Sequence, residues 1–312
     1  MRVLVTGGAG FIGSHVADVL IEAGHSVSIV DNLWEYGGGK REHVHPKAHF
    51  YRVDIRNKTD LIGVFAGEQP EVVCHLAAQY SLRFSMQEPV IDAQVNILGL
   101  INLLQCCTTF GTRKVVFASS AAVHGPVDAM PITESTPQRP ATPYGITKMA
   151  SEHYLRFWKA QYNLDYTILR YGNVYGPRQD ANGVSGVVAI FIGKMLRGYP
   201  IRIDWDGRQA KDYVYVRDVA RANLLALSQG GGETYCIATG KGTSVNWLYE
   251  LIAHILGHGV ETIPGPKQAG DVPLIVFNCS KAKEQLGWVP EMGLEDGLHV
   301  TVDYFRKETG LR

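Results

Sequence analysis

The sequence predicts an α/β fold: a doubly wound parallel sheet in the N-terminal half, with a smaller C-terminal α/β lobe built against it. Three observations predict it. Short β-branched runs alternate with segments of helical spacing as far as Leu169. Those runs are apolar almost throughout, as strands covered by helices on both faces are. A glycine-rich turn follows the first of them directly.

The runs are Val3 to Val5, Ser26 to Val30, His49 to Val53, Val72 to Leu76, Lys114 to Ala118 and Asp165 to Leu169. Past Tyr171 the rhythm loosens. Gly172, Gly176, Pro177, Gly183, Gly186, Gly198 and Pro200 punctuate the chain, and helical stretches Val187 to Leu196 and Val245 to Leu256 alternate with short apolar runs. The expected division is residues 1–170 for the first domain, with about 212–228 returning to it, and 171–312 for a second lobe that shares a cleft with it.

Composition narrows the function. A chain of 312 residues with 46% hydrophobic content buries a substantial core. Thirty Lys plus Arg against thirty Asp plus Glu give no net field toward nucleic acid or an anionic membrane, so any anion must be gripped locally. No unbroken apolar run approaches the roughly 20 residues that span a bilayer, and MRVLVTGGAG passes straight into a folding unit without a signal-peptide pattern. The expected location is the cytoplasm, with no membrane or nucleic-acid partner. Five cysteines, Cys106 and Cys107 adjacent and no C-x-x-C pair, fit neither a disulfide framework nor a zinc site and read as reduced fillers.

After the first strand comes Thr6-Gly7-Gly8-Ala9-Gly10-Phe11-Ile12-Gly13, then an apolar helix pattern through Val16, Val19 and Leu20. A phosphate needs bare backbone amides at a helix N-terminus, and glycines permit the tight turn and the close approach. Gly8, Gly10 and Gly13 satisfy G-x-G-x-x-G, and Gly7, Gly10 and Gly13 satisfy G-x-x-G-x-x-G. This is the Rossmann dinucleotide turn. Asp31 stands about 20 residues beyond it, where an acid bonds a ribose 2′-hydroxyl and repels a 2′-phosphate, so NAD is expected over NADP.

Pro143-Tyr144-Gly145-Ile146-Thr147-Lys148 opens a helix, since Pro suits the first turn and Met149, Tyr154, Leu155 and Trp158 continue an apolar face. Four-residue spacing puts Tyr144 and Lys148 one turn apart on the same face. A phenol of pKa about 10 is a poor base at neutral pH, and a nearby cation favours its phenolate. Ser119 and Ser120 end the preceding strand, where ligands of open α/β sheets collect. Ser120 is therefore placed to bond the oxygen that Tyr144 deprotonates, beside a hydride acceptor.

With these motifs the chain resembles the extended short-chain dehydrogenase/reductases, and within them the nucleotide-sugar epimerases of the UDP-glucose 4-epimerase type. The likeness spans nearly the whole chain, adding Asp31-Asn32-Leu33, Asp54-Ile55, His75-Leu76-Ala77-Ala78, Asn96, Ser119 to Val123, Leu169 to Gln179 and Asp212 to Val216. The resemblance implies that Tyr144 takes the proton of a sugar 4-hydroxyl while C4 passes hydride to NAD. Ser120 would hold the oxygen, and Lys148 would bind the nicotinamide ribose and depress the tyrosine pKa. A 4-keto sugar then turns over and recovers the hydride on its other face. For the cofactor, the resemblance implies contacts from Gly7, Gly10, Phe11, Ile12, Gly13, Asp31, Asn32, Asp54, Ile55, Leu76, Ala77, Ala78 and Tyr171, besides Tyr144 and Lys148. For the substrate it implies Asn173, Val188, Lys211, Gln268 and Asp271, and it implies a homodimer formed through the Tyr144 helix and its neighbour.

Related 4,6-dehydratases carry an Asp-Glu pair where this chain has Ala121 and Ala122, so oxidation and re-reduction at C4 is the chemistry expected. UDP-glucose/UDP-galactose is the first expected substrate pair, with a UDP-hexuronate or UDP-N-acetylhexosamine next. Net oxidoreduction with release of the cofactor, and a non-catalytic dinucleotide sensor, are the competing classes.

Several positions depart from the family. Lys211 and Gln268, with Lys267 beside it, stand where arginines usually clamp the substrate diphosphate, and lysine lacks the bidentate fork. His124 replaces a tyrosine and reads as a polar wall of the pocket. Ile275 is of medium size where the family distinguishes N-acetylated sugars. Arg83 either meets a hexuronate carboxylate or forms a surface ion pair, and Asn96 is either part of the site or a buried helix residue bonded to backbone. Trp34 to Lys40 reads as a mobile, glycine-rich loop near the adenosine.

Overall fold

The computed structural model describes residues 1–34, 37–181, 186–267 and 272–311. Its first half runs β1 (Arg2–Thr6), α1 (Phe11–Glu22), β2 (Ser26–Val30), β3 (His49–Tyr51), α2 (Lys58–Glu68), β4 (Val72–His75), α3 (Leu82–Gln87), α4 (Pro89–Ala93), α5 (Gly99–Phe110), β5 (Lys114–Ser120) and α6 (Pro143–Tyr162). The second runs β6 (Asp165–Tyr171), β7 (Asn173–Tyr175), α7 (Val187–Leu196), β8 (Ile201–Asp204), β9 (Ala210–Tyr215), α8 (Val216–Ala226), β10 (Glu233–Ile237), β11 (Gly242–Ser244), α9 (Val245–Leu256), β12 (Thr262–Gly265), β13 (Leu274–Ile275), α10 (Ser280–Leu286) and α11 (Leu294–Thr309).

Seven strands form one sheet in the order β10-β6-β5-β4-β1-β2-β3, every neighbour parallel. Successive residues face opposite layers. Val3, Val5, Ile29, Cys74 and Val116 pack beneath α1, α8 and α10, whereas Leu4, Val30, Val73, Val115 and Phe117 pack beneath α2, α5 and α6. Both faces are therefore apolar, which is why the strands read as unbroken hydrophobic runs. Strand order reverses on either side of β1, opening a crevice at the carboxyl ends of β1 and β4.

Boundaries shift modestly. β5 continues to Ser120 and β6 to Tyr171, while β3 stops at Tyr51 because Val53 N turns back to the carbonyls of Asp31 and Tyr51, both acceptors of its hydrogen. Strand β10, not anticipated from the sequence, closes the edge of the large sheet beside β6. In a four-stranded sheet β9 pairs with β7, β11 and β13, and in a separate two-stranded sheet β8 pairs with β12; α7, α9 and α11 cover this lobe.

No unbroken apolar run of bilayer length is present, yet one helix is long and apolar enough to cross a bilayer by length and composition alone. Helices α4 and α5 join through a π turn at Gln94–Leu98 into one helix, Pro89–Phe110, whose 22 residues pass by length and composition. Half of its apolar stretch is buried in this fold, and Leu100, Leu103 and Leu104 belong to the core. All five cysteines are free thiols, and only Cys279 is partly exposed.

Candidate active site

The glycine turn is dictated by contact. Gly7 has φ +71°, and a Cβ there would sit 2.7 Å from Ala77 N; a Cβ on Gly13 would lie 2.1 Å from Gly7 O. Only glycines let α1 start this close to β1 and β4. Gly10 caps α1 without any side-chain bond, so the first-turn amides of Phe11, Ile12 and Gly13 stay open at the positive end of the helix. These residues line a cleft of about 490 Å³ together with Asp31, Asn32, Asp54, Ile55, Leu76, Ala77, Ala78, Ser120, Tyr144, Lys148 and Tyr171.

Asp31 directly follows β2, its carboxylate accepting from Ala9 N at 3.0 Å and Leu33 N at 2.9 Å. Burial raises its pKa, and those backbone bonds oppose the rise. Asn32 Nδ2 donates to Asp54 at 2.9 Å, and Arg56 pairs with the same carboxylate at 2.7 Å. The expected mobile loop is anchored at its described ends. Lys40 N donates to Ala9 O at 3.0 Å, and the Trp34 ring meets Phe84 edge-on at 5.6 Å.

Helix α6 starts where the sequence places it: Pro143 occupies the first turn, and the Thr142 hydroxyl caps it by accepting from Gly145 N at 3.2 Å. Tyr144 and Lys148 project into the cleft beside Ser120, with Lys148 Nζ 5.8 Å from the Tyr144 ring centre and donating to Ala118 O at 2.9 Å. The expected depression of the tyrosine pKa is corrected. Burial pushes Tyr144 up to about 12, a hydrogen bond with Ser120 pulls it down, and Asp92 adds to the rise. Burial also lowers Lys148 to about 8 against the pull of Asp92 and Glu152. Burial is the largest cause in both cases, so each group resists taking a charge.

A second layer lies behind these groups. Arg170 and Glu152 are both buried and joined at 2.7 and 2.9 Å, and Ser119 Oγ donates to Glu152 at 2.7 Å. His124 belongs to this layer instead of the pocket wall: it is fully buried, with Nε2 3.3 Å from Arg170 and Nδ1 3.3 Å from Pro137 O. Asn96 also stands behind the cleft, its amide bonded to both backbone groups of Gln79 at 2.9 and 3.0 Å.

Asn173, Lys211 and Ile275 line the cleft from the smaller lobe, and Lys211 Nζ donates to Val272 O at 3.0 Å. Two expected substrate residues are placed elsewhere. Val188 is buried in the core of the smaller lobe, because it lies on the inward face of α7. Arg83 is mostly exposed and pairs with Asp204 at 3.2 Å outside the cleft lining. Gln268 and Asp271 lie outside the described residues. Arg178 is a lining residue that sequence reading missed, since a cation in a loop has no period; it holds φ +66° and pairs with Asp18 on α1 at 2.8 Å.

The comparisons with known proteins agree with this geometry. The sequence model of the NAD dependent epimerase/dehydratase family matches residues 3–238. The chain belongs to that family. A relative named UDP-glucose 4-epimerase from Mycolicibacterium smegmatis is 40% identical, over 99% of this chain and 100% of its own. Among solved structures, a UDP-glucose 4-epimerase from Thermotoga maritima with UDP-glucose superposes with a TM-score of 0.96 at 47% identity, covering 99% of this chain and 100% of that one. A second, from Thermus thermophilus in complex with NAD, gives 0.94 at 42% identity over 98% and 99%.

The residues present fit NAD. The uncapped α1 terminus suits its diphosphate, and the Asp31 carboxylate, already close to the turn, suits an unphosphorylated ribose.

Proposed function

We propose that the protein is an NAD-dependent 4-epimerase of UDP-glucose and UDP-galactose in galactose metabolism, working through a 4-keto sugar. The observation that carries this reading is the convergence of Ser120, Tyr144 and Lys148 on one cleft whose neighbouring positions are Ala121 and Ala122. Elimination of water requires a further acid and base, and the cleft has alanines there.

Tyr144 takes and returns the proton of the 4-hydroxyl, and Ser120 holds the same oxygen. When bound, NAD supplies reversible hydride exchange at the sugar C4. Lys148 holds a positive charge next to the phenol and binds the nicotinamide ribose, while Gly7 to Gly13, Asp31 and Asp54 hold the dinucleotide. Asn173 and Lys211 face the nucleotide sugar from the smaller lobe, Lys211 as a point cation for the diphosphate. Arg83 is engaged with Asp204 and exposed, which disfavours a hexuronate carboxylate at that position. In this reading residues 1–170 form the dinucleotide domain, α8, β10 and α10 return to it, and the remainder of 171–312 forms the substrate lobe.

Val90, Leu98, Ile146 and Phe157 are 66%, 54%, 49% and 49% exposed on the joined α4–α5 helix and α6, an apolar face that suits a homodimer. Phe157→Glu then halves the mass seen by sedimentation. Five free thiols suit the reducing cytoplasm.

The test is incubation of the purified protein with UDP-glucose, UDP-glucuronate and UDP-N-acetylglucosamine, followed by separation of epimers. Conversion of UDP-glucose to UDP-galactose supports the reading. Release of NADH in step with a single oxidised product contradicts it.

A further inference from the structure

Asp92, in the last turn of α4, is 0% exposed. Its Oδ1 accepts from Gln79 Nε2 at 2.7 Å and Asn96 Nδ2 at 3.0 Å, and its Oδ2 accepts from Thr147 Oγ1 at 2.8 Å. Every one of these donors is neutral. The network joins three parts of the cleft's frame: Gln79 in the loop that carries Ala77 and Ala78, Asn96 in the π turn, and Thr147, which stands between Tyr144 and Lys148 on α6. π turns inside helices gather at functional sites.

A buried carboxylate among neutral donors is costly, and an amide would serve most of the same hydrogen bonds. The position therefore keeps a charge that its immediate partners do not require. Two carboxylates act on Lys148. Glu152 is matched by Arg170 at 2.7 Å and by Arg156 at 3.1 Å. Asp92 has no arginine beside it: burial raises its pKa, and the hydrogen bonds from Thr147 and Gln79 and the charge of Lys148 oppose that rise, so Lys148 is the cation that its carboxylate answers.

We infer that Asp92 is a positioning residue for proton transfer: its charge, fixed by Gln79, Asn96 and Thr147 beneath α6, holds Lys148 as a cation beside Tyr144. The inference rests on the roles proposed above for Tyr144 and Lys148. The groups facing Lys148 are consistent with it. His75, on β4, is kept neutral because burial, with Lys148 adding to it, pushes its pKa down to about 3. Tyr144, on α6, is pushed up to about 12 by burial, and Asp92 contributes to the rise. Glu152, also on α6, is neutralised by its own arginines.

Removing the charge lets both Lys148 and Tyr144 lose protons more readily, so the pH profile of kcat moves to lower pH as a whole. The direct readout is independent of turnover: side-chain NMR of 13C-labelled lysine, with the Lys148 signal assigned by its loss in Lys148→Met. In Asp92→Asn the Lys148 midpoint is expected to fall from about 8 by about one pH unit, and the kcat profile to follow. Asp92→Ser serves the same measurement if the amide variant does not fold. Asn96→Ala, which keeps the carboxylate, is expected to slow turnover and leave the midpoint in place. A midpoint unmoved by Asp92→Asn, or moved equally by Asn96→Ala, overturns the inference. Normal turnover by Tyr144→Phe would instead overturn the reading beneath it, leaving the NMR shift intact.

Discussion

Glu152→Gln breaks a buried ion pair and leaves the other half in place. Arg170 is 2% exposed and Glu152 0%, with the guanidinium donating to the carboxylate at 2.9 and 2.7 Å. Ser119 and Gln138 donate to the same group, each at 2.7 Å. Removing one partner of such a pair costs about 3–5 kcal/mol, because the remaining charge stays buried without a counter-ion. Glutamine keeps one acceptor for Ser119, so the expected loss is near the lower end, about 3 kcal/mol. With m near about 3 kcal/mol/M, the urea midpoint falls by about 1 M. Burial works to raise the Glu152 pKa, yet the hydrogen bonds and charge of Arg170 hold it below the usual carboxylate range. The contribution is therefore present above the unfolded pKa of about 4.3 and is lost as pH falls through the lower folded value. The gap between parent and variant should be full at pH 7 and shrink in acid. A loss under about 1 kcal/mol at pH 7, or a gap that widens toward acid, would refute this account of the network.

Other predictions follow from the same geometry. Burial holds His15 at about 4, His75 at about 3 and His124 at about 4. The unfolded chain binds protons at these positions below about 6.5, so stability falls as pH drops from there toward 4, by up to about 1.4 kcal/mol per pH unit per histidine; urea midpoints at pH 7 and 5 read it, and a flat profile contradicts it. Lys211→Ala should raise KM for UDP-glucose about tenfold while kcat stays within about twofold, the signature of a contact used equally before and during reaction. Lys211→Arg should recover the affinity, and an equal fall in kcat would argue against a binding role.

What could be read in the sequence was whatever is local. The β1 turn, Asp31 and the Tyr144 helix each occupy contiguous residues whose spacing alone carries the geometry, and Ser120 follows from where its strand stops. β10 was hidden because Glu233 to Ile237 follows Gly230-Gly231-Gly232 and resembles any short run of the second lobe. Asp92 and Glu152 are single acids inside helices, with no period or neighbour to mark them, and their partners lie up to 55 residues away in sequence. Val188 and Arg83 show the converse limit: a family position fixes a residue's place in the chain, and packing on α7 or an ion pair with Asp204 decides where its side chain goes. The sign of the Tyr144 shift was also out of reach, because a cation four residues away is visible in sequence and desolvation is not.

The most direct test removes one oxygen. Tyr144→Phe keeps the ring that packs at 9% exposure and deletes only the proton-accepting Oη. Purified variant and parent are compared for NAD content and for conversion of UDP-glucose to UDP-galactose. The variant is expected to retain bound NAD and to show a kcat lower by about 10²–10⁴-fold, the range that general acid–base catalysis contributes. Turnover by the variant within about tenfold of the parent would contradict that expectation.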